Sequence, residues 1–262
     1  MLRVARKAKM WTAGMFRDLA WYFSRRSKLS NDLPIPPPSL CFSVIASYDV
    51  DCFLRTGFQG AESIRNILAR NKKPINQYSE ILDFGCGCGR ITRHLKDLTN
   101  SSITGSDINH TPILWAQKNL KFARFITNGI SDSLPFENDS FDLVFAVSVF
   151  THLSERLQKH WMGELTRILK PGGALLITVK GENWKVDLGE EQMNSFNHGN
   201  MVVIEPEYSG SNYCAAYHPP EYARTVLGAG LNIIEHEPCG SKEISQDFYL
   251  MAKAGPQSLY TK

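Results

Sequence analysis

Two acids and a cluster of small residues between positions 83 and 107 stand at a spacing suited to an organic cation. The run ILDFGCGCGRITRHL (81–95) places Asp83 near the end of an apolar stretch and Gly85, Gly87 and Gly89 in the turn after it. Glycine weakens strands and helices alike, so this turn serves a backbone that bends sharply and approaches a ligand closely. A second acid, Asp107, ends the next apolar run. Two ligand chemistries compete for such a turn. A dinucleotide asks for G-x-G-x-x-G, whose third glycine lets the following helix pack closely. Here the spacing is G-C-G-C-G, and Arg90 stands where that third glycine belongs. A carboxylate at Asp83 repels a pyrophosphate and attracts an ammonium. Asp107 is placed to take two ribose hydroxyls. S-adenosylmethionine carries an α-amino group and a ribose without phosphate, and it suits both acids.

A metal is not expected. Cys86 and Cys88 are two thiols, too few to complete a site by themselves. The acids of SDSLPFENDSFD (131–142) read as a solvated loop. The six cysteines show neither zinc spacing nor a disulfide framework, which points to a reducing cytosol.

Repeated strand–turn–helix units must hold these side chains. Strands are expected at 79–84, 102–107, 123–128, 141–149 and 174–180. Helices are expected at 90–98, 112–120 and 154–169, the last capped by Ser154. Such repeats imply a parallel sheet with helices on both faces and ligands beyond the carboxyl ends of the strands. At 262 residues, 43% hydrophobic and 21% charged, the chain suits one large domain with extensions. It holds no apolar run long enough to cross a bilayer.

The net charge of +3 is unevenly spread. Residues 1–30 carry +7, leaving −4 for the rest, so the body offers no nucleic-acid surface. Val4, Ala8, Trp11, Met15, Leu19 and Tyr22 repeat at helical steps, giving a basic amphipathic helix over 1–30. Three readings of it stand open: peripheral contact with anionic membranes, packing on the core or on a twin subunit, or a disordered tail. Residues 31–39 (NDLPIPPPS) read as a stiff linker that holds the body off such a surface.

The motifs ILDFGCGCGR (81–90), GSDIN (105–109), LPFENDSFDLVFAVSVFTHL (134–153), LKPGGALLIT (169–178) and QDFYLMAK (246–253), in this order, make the chain resemble the class I S-adenosylmethionine-dependent methyltransferases. The nearest likeness is to bacterial-type small-molecule enzymes with FGCGCGR and SVFTHL. The resemblance covers about residues 40–255. It implies an α/β, Rossmann-like seven-stranded sheet, mostly parallel, with an antiparallel final hairpin at 231–238 and 247–253. It assigns Asp83 to the cofactor's ammonium, and Gly85 and Gly87 to its methionine and ribose. Asp107 takes the ribose hydroxyls, Ile108 packs on adenine, and Asn128 and Gly129 face the adenine edge. Val147 and Ser148 lie beside the sulfonium.

Two histidines are candidates for a general base toward a hydroxyl acceptor. His152 follows the fourth strand, and His218 precedes a helix near Glu221. Each also has a purely structural reading. Residues 181–217 are expected to form a lid over the acceptor. Tyr48 and Phe53 are expected to cover the cofactor from the other side, with core packing the competing reading for Phe53. The activity expected is methyl transfer to a hydroxyl, with an amine second, on a small metabolite or glycan-type acceptor. A non-catalytic cofactor-binding partner and an aminopropyl transferase are the alternatives. The sequence leaves the oligomeric state open.

Overall fold

The apolar runs become strands of one sheet in the computed structural model, which describes residues 14–24 and 29–255. β1 (Glu80–Phe84), β2 (Ser102–Asp107), β3 (Arg124–Thr127), β4 (Phe141–Ala146) and β5 (Leu169–Val179) pair in parallel. β6 (Leu231–Ser241) and β7 (Gln246–Lys253) form an antiparallel hairpin, and β7 also pairs antiparallel with β5. The order across the sheet is β6-β7-β5-β4-β1-β2-β3. The Rossmann-like sheet expected from the sequence is therefore present.

The helices of eight residues or more are α1 (residues 14–23), α2 (Pro38–Ile45), α3 (Val50–Arg70), α4 (His110–Asn119), α5 (Glu155–Ile168) and α6 (Glu190–Asn197). Successive strand residues face opposite sides of the sheet. Ile81, Leu143, Phe145 and Leu176 meet Ile64, Ile67 and Leu68 of α3 in one core. Leu82, Phe84, Val144 and Ile177 meet Leu157, Trp161 and Leu165 of α5 in the other. The Asp49 carboxylate caps α3 by accepting from the Asp51 and Cys52 amides.

Three expectations change. The helix expected over 90–98 is one 3-10 turn, Thr92–Leu95. Its side chains are committed elsewhere: Thr92 to Asp83, and the Arg93 guanidinium to the carbonyls of Ser30 and Leu33. Ser154 precedes α5 without a side-chain cap; its amide instead donates to Ser209 Oγ. Residues 31–39 are no spacer, because Ile35–Pro38 are buried and Pro38 opens α2.

α1 is fastened to the body on one side. The Asp18 carboxylate accepts from both the amide and the hydroxyl of Ser39. Trp21 is buried, and the Arg17 guanidinium lies over the Tyr48 ring. The parts of the amphipathic pattern at Val4, Ala8 and Trp11 lie outside the described residues.

Residues 181–217 fold as a small unit. Two 3-10 turns, α6 and a hairpin of Val202–Ile204 with Ala215–Tyr217 gather around Leu188, Phe196, Val202 and Tyr217.

Candidate functional site

The carboxyl ends of β1, β2 and β4 open onto a cavity of about 800 Å³, within the range of ligand pockets. Asp83 lines it, buried, with Oδ2 accepting from Thr92 Oγ1 at 2.6 Å. Burial pushes its pKa up to about 7, against the pull of the Thr92 hydrogen bond and the Arg90 charge. The carboxylate thus lacks a full counter-charge, a shortfall that an ammonium would make good.

Arg90 lines the same cavity, buried, with Nη1 lacking a hydrogen-bond partner. Burial lowers its pKa, with Glu243 and Asp83 as its main opposing charges. An amino-acid zwitterion fits this pair, with its ammonium toward Asp83 and its carboxylate toward Arg90. The sequence reading used Arg90 only to reject a dinucleotide. The signal it passed over was an arginine directly after the glycine turn.

Asp107 is fixed by backbone donors. Oδ2 accepts from the Gly87 amide and Oδ1 from the Asn109 amide, both at 2.8 Å. A carboxylate keeps further lone pairs after two such bonds, enough to accept from a diol. Burial raises its pKa as well.

Gly85 also lines the cavity at φ +79°, and a Cβ there would stand 2.2 Å from Val149 Cγ2. Both the backbone conformation and the space exclude a side chain. Ile108, Val147 and Ser148 line the cavity too. Ser148 has φ +60°, a left-handed conformation that costs a non-glycine residue on the order of 1–3 kcal/mol. Its amide donates to Thr178 Oγ1 at 2.7 Å, and its Oγ accepts from Gln246 Nε2 at 3.1 Å.

Asn128 reaches the cavity with its amide oriented on both sides. Ser106 Oγ donates to its Oδ1, and its Nδ2 donates to the Gly129 carbonyl. Gly129 does not line the cavity. Asp132 closes over it, 2.1 Å from where a Cβ would stand, and Ile130 takes the lining position.

The histidines separate. His152 lines the cavity, and its Nδ1 lies 2.7 Å from the Cys214 carbonyl. A carbonyl only accepts, so Nδ1 carries the proton and Nε2 holds a lone pair. Burial holds its pKa below the ordinary histidine value, and the Lys180 charge adds to this. His152 is therefore neutral near pH 7, in the state a base requires.

His218 is a correction. It is fully buried and does not line the cavity. Its Nε2 donates to Gln158 Oε1 at 3.0 Å, and Gln158 Nε2 donates to the carbonyls of Phe150 and Leu153. Burial pushes its pKa down to about 3. His218 thus braces the turn that carries His152.

Segment 181–217 sends its tip, Gly210–Tyr213, into the cavity wall. The Gly210 amide donates to the His152 carbonyl at 2.7 Å. Tyr48 and Phe53 do not reach the cavity. Tyr48 stacks on Phe42, and Phe53 is core. Phe42, Ser43, Val44 and Ala46, from α2 and its cap, take that wall. The α2 sequence, PSLCFSVI, shows no polar face that would have marked it. Among the described residues, no group of three metal-ligating side chains converges.

Comparison with known proteins agrees with this geometry. Residues 81–173 match the methyltransferase domain family. The chain is 29% identical over 164 residues to the methyltransferase GfsG of Streptomyces halstedii, a match covering 60% of this chain and 54% of that protein. It is 30% identical over 213 residues to the sterol 24-C-methyltransferase erg-4 of Neurospora crassa, covering 76% of this chain and 53% of that one. The chain thus spans about half the length of these two relatives. In fold it is similar to an S-adenosylmethionine-dependent methyltransferase of Clostridium acetobutylicum, with a TM-score of 0.53 at 16% identity over 75% of this chain and 92% of that one. The domain match, the relatives and the sheet order place the chain in the class I S-adenosylmethionine-dependent methyltransferase superfamily.

Proposed function

We propose that the protein transfers the methyl group of S-adenosylmethionine to a hydroxyl of a small metabolite or glycan-type acceptor, in the reducing cytosol. The observation that carries the hydroxyl reading is His152: neutral, its tautomer set by the Cys214 carbonyl, its Nε2 free at the cavity wall. An amine acceptor loses its proton without such help, whereas a hydroxyl gains from a positioned base. The cysteines Cys41, Cys52, Cys86, Cys88, Cys214 and Cys239 are free thiols, in keeping with that compartment.

The cofactor supplies an electrophilic methyl on a sulfonium. Asp83 and Arg90 hold its amino-acid end, and Asp107 its ribose. Ile108, Asn128 and Ile130 form the adenine side. Ser148, locked by Thr178 and Gln246, shapes the wall after β4. Nε2 of His152 would take the hydroxyl proton as the acceptor oxygen bonds the methyl carbon, the carbon–sulfur bond breaking with its electron pair left on sulfur as a neutral thioether. The resulting imidazolium stays hydrogen-bonded to Cys214 through Nδ1. The tip at Gly210–Tyr213 walls this side of the cavity.

The test is a panel of hydroxyl and amine acceptors incubated with methyl-labelled cofactor. His152→Ala should lower turnover about 100-fold with the cofactor Kd unchanged. Methylation of amines alone, at a rate indifferent to His152, overturns the hydroxyl reading.

A further inference from the structure

We propose that α1 is a docking surface for anionic lipid bilayers. Its inner side is occupied by Asp18 on Ser39, Trp21 in the core and Arg17 on Tyr48. Its outer side carries Met15, Phe16, Leu19, Tyr22 and Phe23, which are 47–85% exposed. At steps of three and four, these five residues share one helical face. A contiguous apolar face held outward by polar anchors on the opposite side marks an interaction site.

Charge selects the occupant. Residues 1–30 carry +7 and the remainder −4. A second copy seated face to face would bring +7 against +7. An acidic bilayer offers this basic segment opposite charge at its surface, and hydrocarbon beneath for the apolar face. Aliphatic and aromatic side chains on one helical face, in a segment whose sequence is strongly basic, suit a helix lying in the headgroup plane. Each basic residue near such a surface adds to the attraction, which salt screens.

The placement bears on the cavity. α1 is fastened to Ser39 and Tyr48, and Phe42, Ser43, Val44 and Ala46 of the cavity wall lie between those two anchors in the chain. A bilayer under α1 would therefore adjoin the segment that walls the reaction chamber.

The test is sedimentation of the full chain with vesicles, and its readout does not depend on methyl transfer. The chain should pellet with vesicles of phosphatidylcholine and phosphatidylglycerol, stay in the supernatant with phosphatidylcholine alone, and be released by salt. Phe16→Asp combined with Phe23→Asp should weaken the bound fraction at least about tenfold. The milder pair Leu19→Ser and Phe23→Ser should weaken it in the same direction. Both pairs change exposed side chains, so melting temperature and S-adenosylhomocysteine binding should match the parent. Failure of the full chain to pellet with anionic vesicles at low salt overturns the proposal. So does equal pelleting of parent and variants. Self-association of the parent in sedimentation velocity, abolished by the same substitutions, assigns the face to a second copy and likewise overturns it.

Discussion

Cofactor affinity should fall about tenfold for each pH unit below about 7, and Asp83 should be the cause. In the free protein, burial raises its pKa to about 7. The cofactor's ammonium requires the carboxylate, so binding below that pH must first expel a proton. One proton released per ligand bound gives a slope of about one log unit in Kd per pH unit. The slope flattens at the acid end, where the carboxyl stays protonated even in the complex. It reverses above about pH 8, where an α-amino group loses its own proton. The stability of the free protein follows the opposite course. A carboxyl whose folded pKa lies above its unfolded value favours folding in acid, and that contribution is lost as pH rises from about 4 to about 7. Calorimetry at about pH 6 and about pH 7, in buffers of different ionisation enthalpy, reads both affinity and proton count. Asp83→Asn should bind weakly and without this slope. Equal Kd values at the two pH values, with no proton released, would refute the reasoning.

Gly85→Ala should cost about 1–2 kcal/mol for the left-handed backbone and a further 1–3 kcal/mol for overpacking against Val149. In a Val149→Ala background only the first part should remain, so a double-mutant cycle by urea unfolding should show coupling; simple additivity counts against the steric account. Gly210→Ala, at φ +86° and 2.6 Å from Ile108 Cδ1, should lift the tip and lower kcat/KM more than it lowers melting temperature. At saturating cofactor the rate should decline in acid with an apparent pKa below the ordinary histidine value, since only neutral His152 accepts a proton; the pH dependence of kcat of the parent protein checks this. His218→Ala leaves the buried Gln158 Oε1 without its donor and should cost about 1–3 kcal/mol in unfolding measurements; a normal melting curve with a large loss of turnover would instead restore it as a base.

The centre of the sheet was legible because its inner strands are buried on both faces and read as short apolar runs, as LVFA (143–146) does in β4. The two acids were legible because a carboxylate ending a strand beside glycines has few structural uses. What stayed hidden depended on distant partners. Nothing local told that Thr92 would turn to Asp83, or Arg93 to the carbonyls of Ser30 and Leu33, and so the helix expected there became a single turn. Nothing local separated His152 from His218 either. One meets a carbonyl 62 residues away, the other a glutamine 60 residues away, and those partners decide which of them reaches the cavity. The prolines at 36–38 read as a spacer from composition, while their burial follows from neighbours that composition does not name.

The hydrogen bond between His152 and Cys214 ties alignment of the proposed base to the position of segment 181–217. When that segment is displaced, Nδ1 loses the partner that fixes its tautomer, and the imidazole is free to turn. A substitution in that segment that moves the Cys214 carbonyl would thus retune the proposed base from 62 residues away, without touching the imidazole itself.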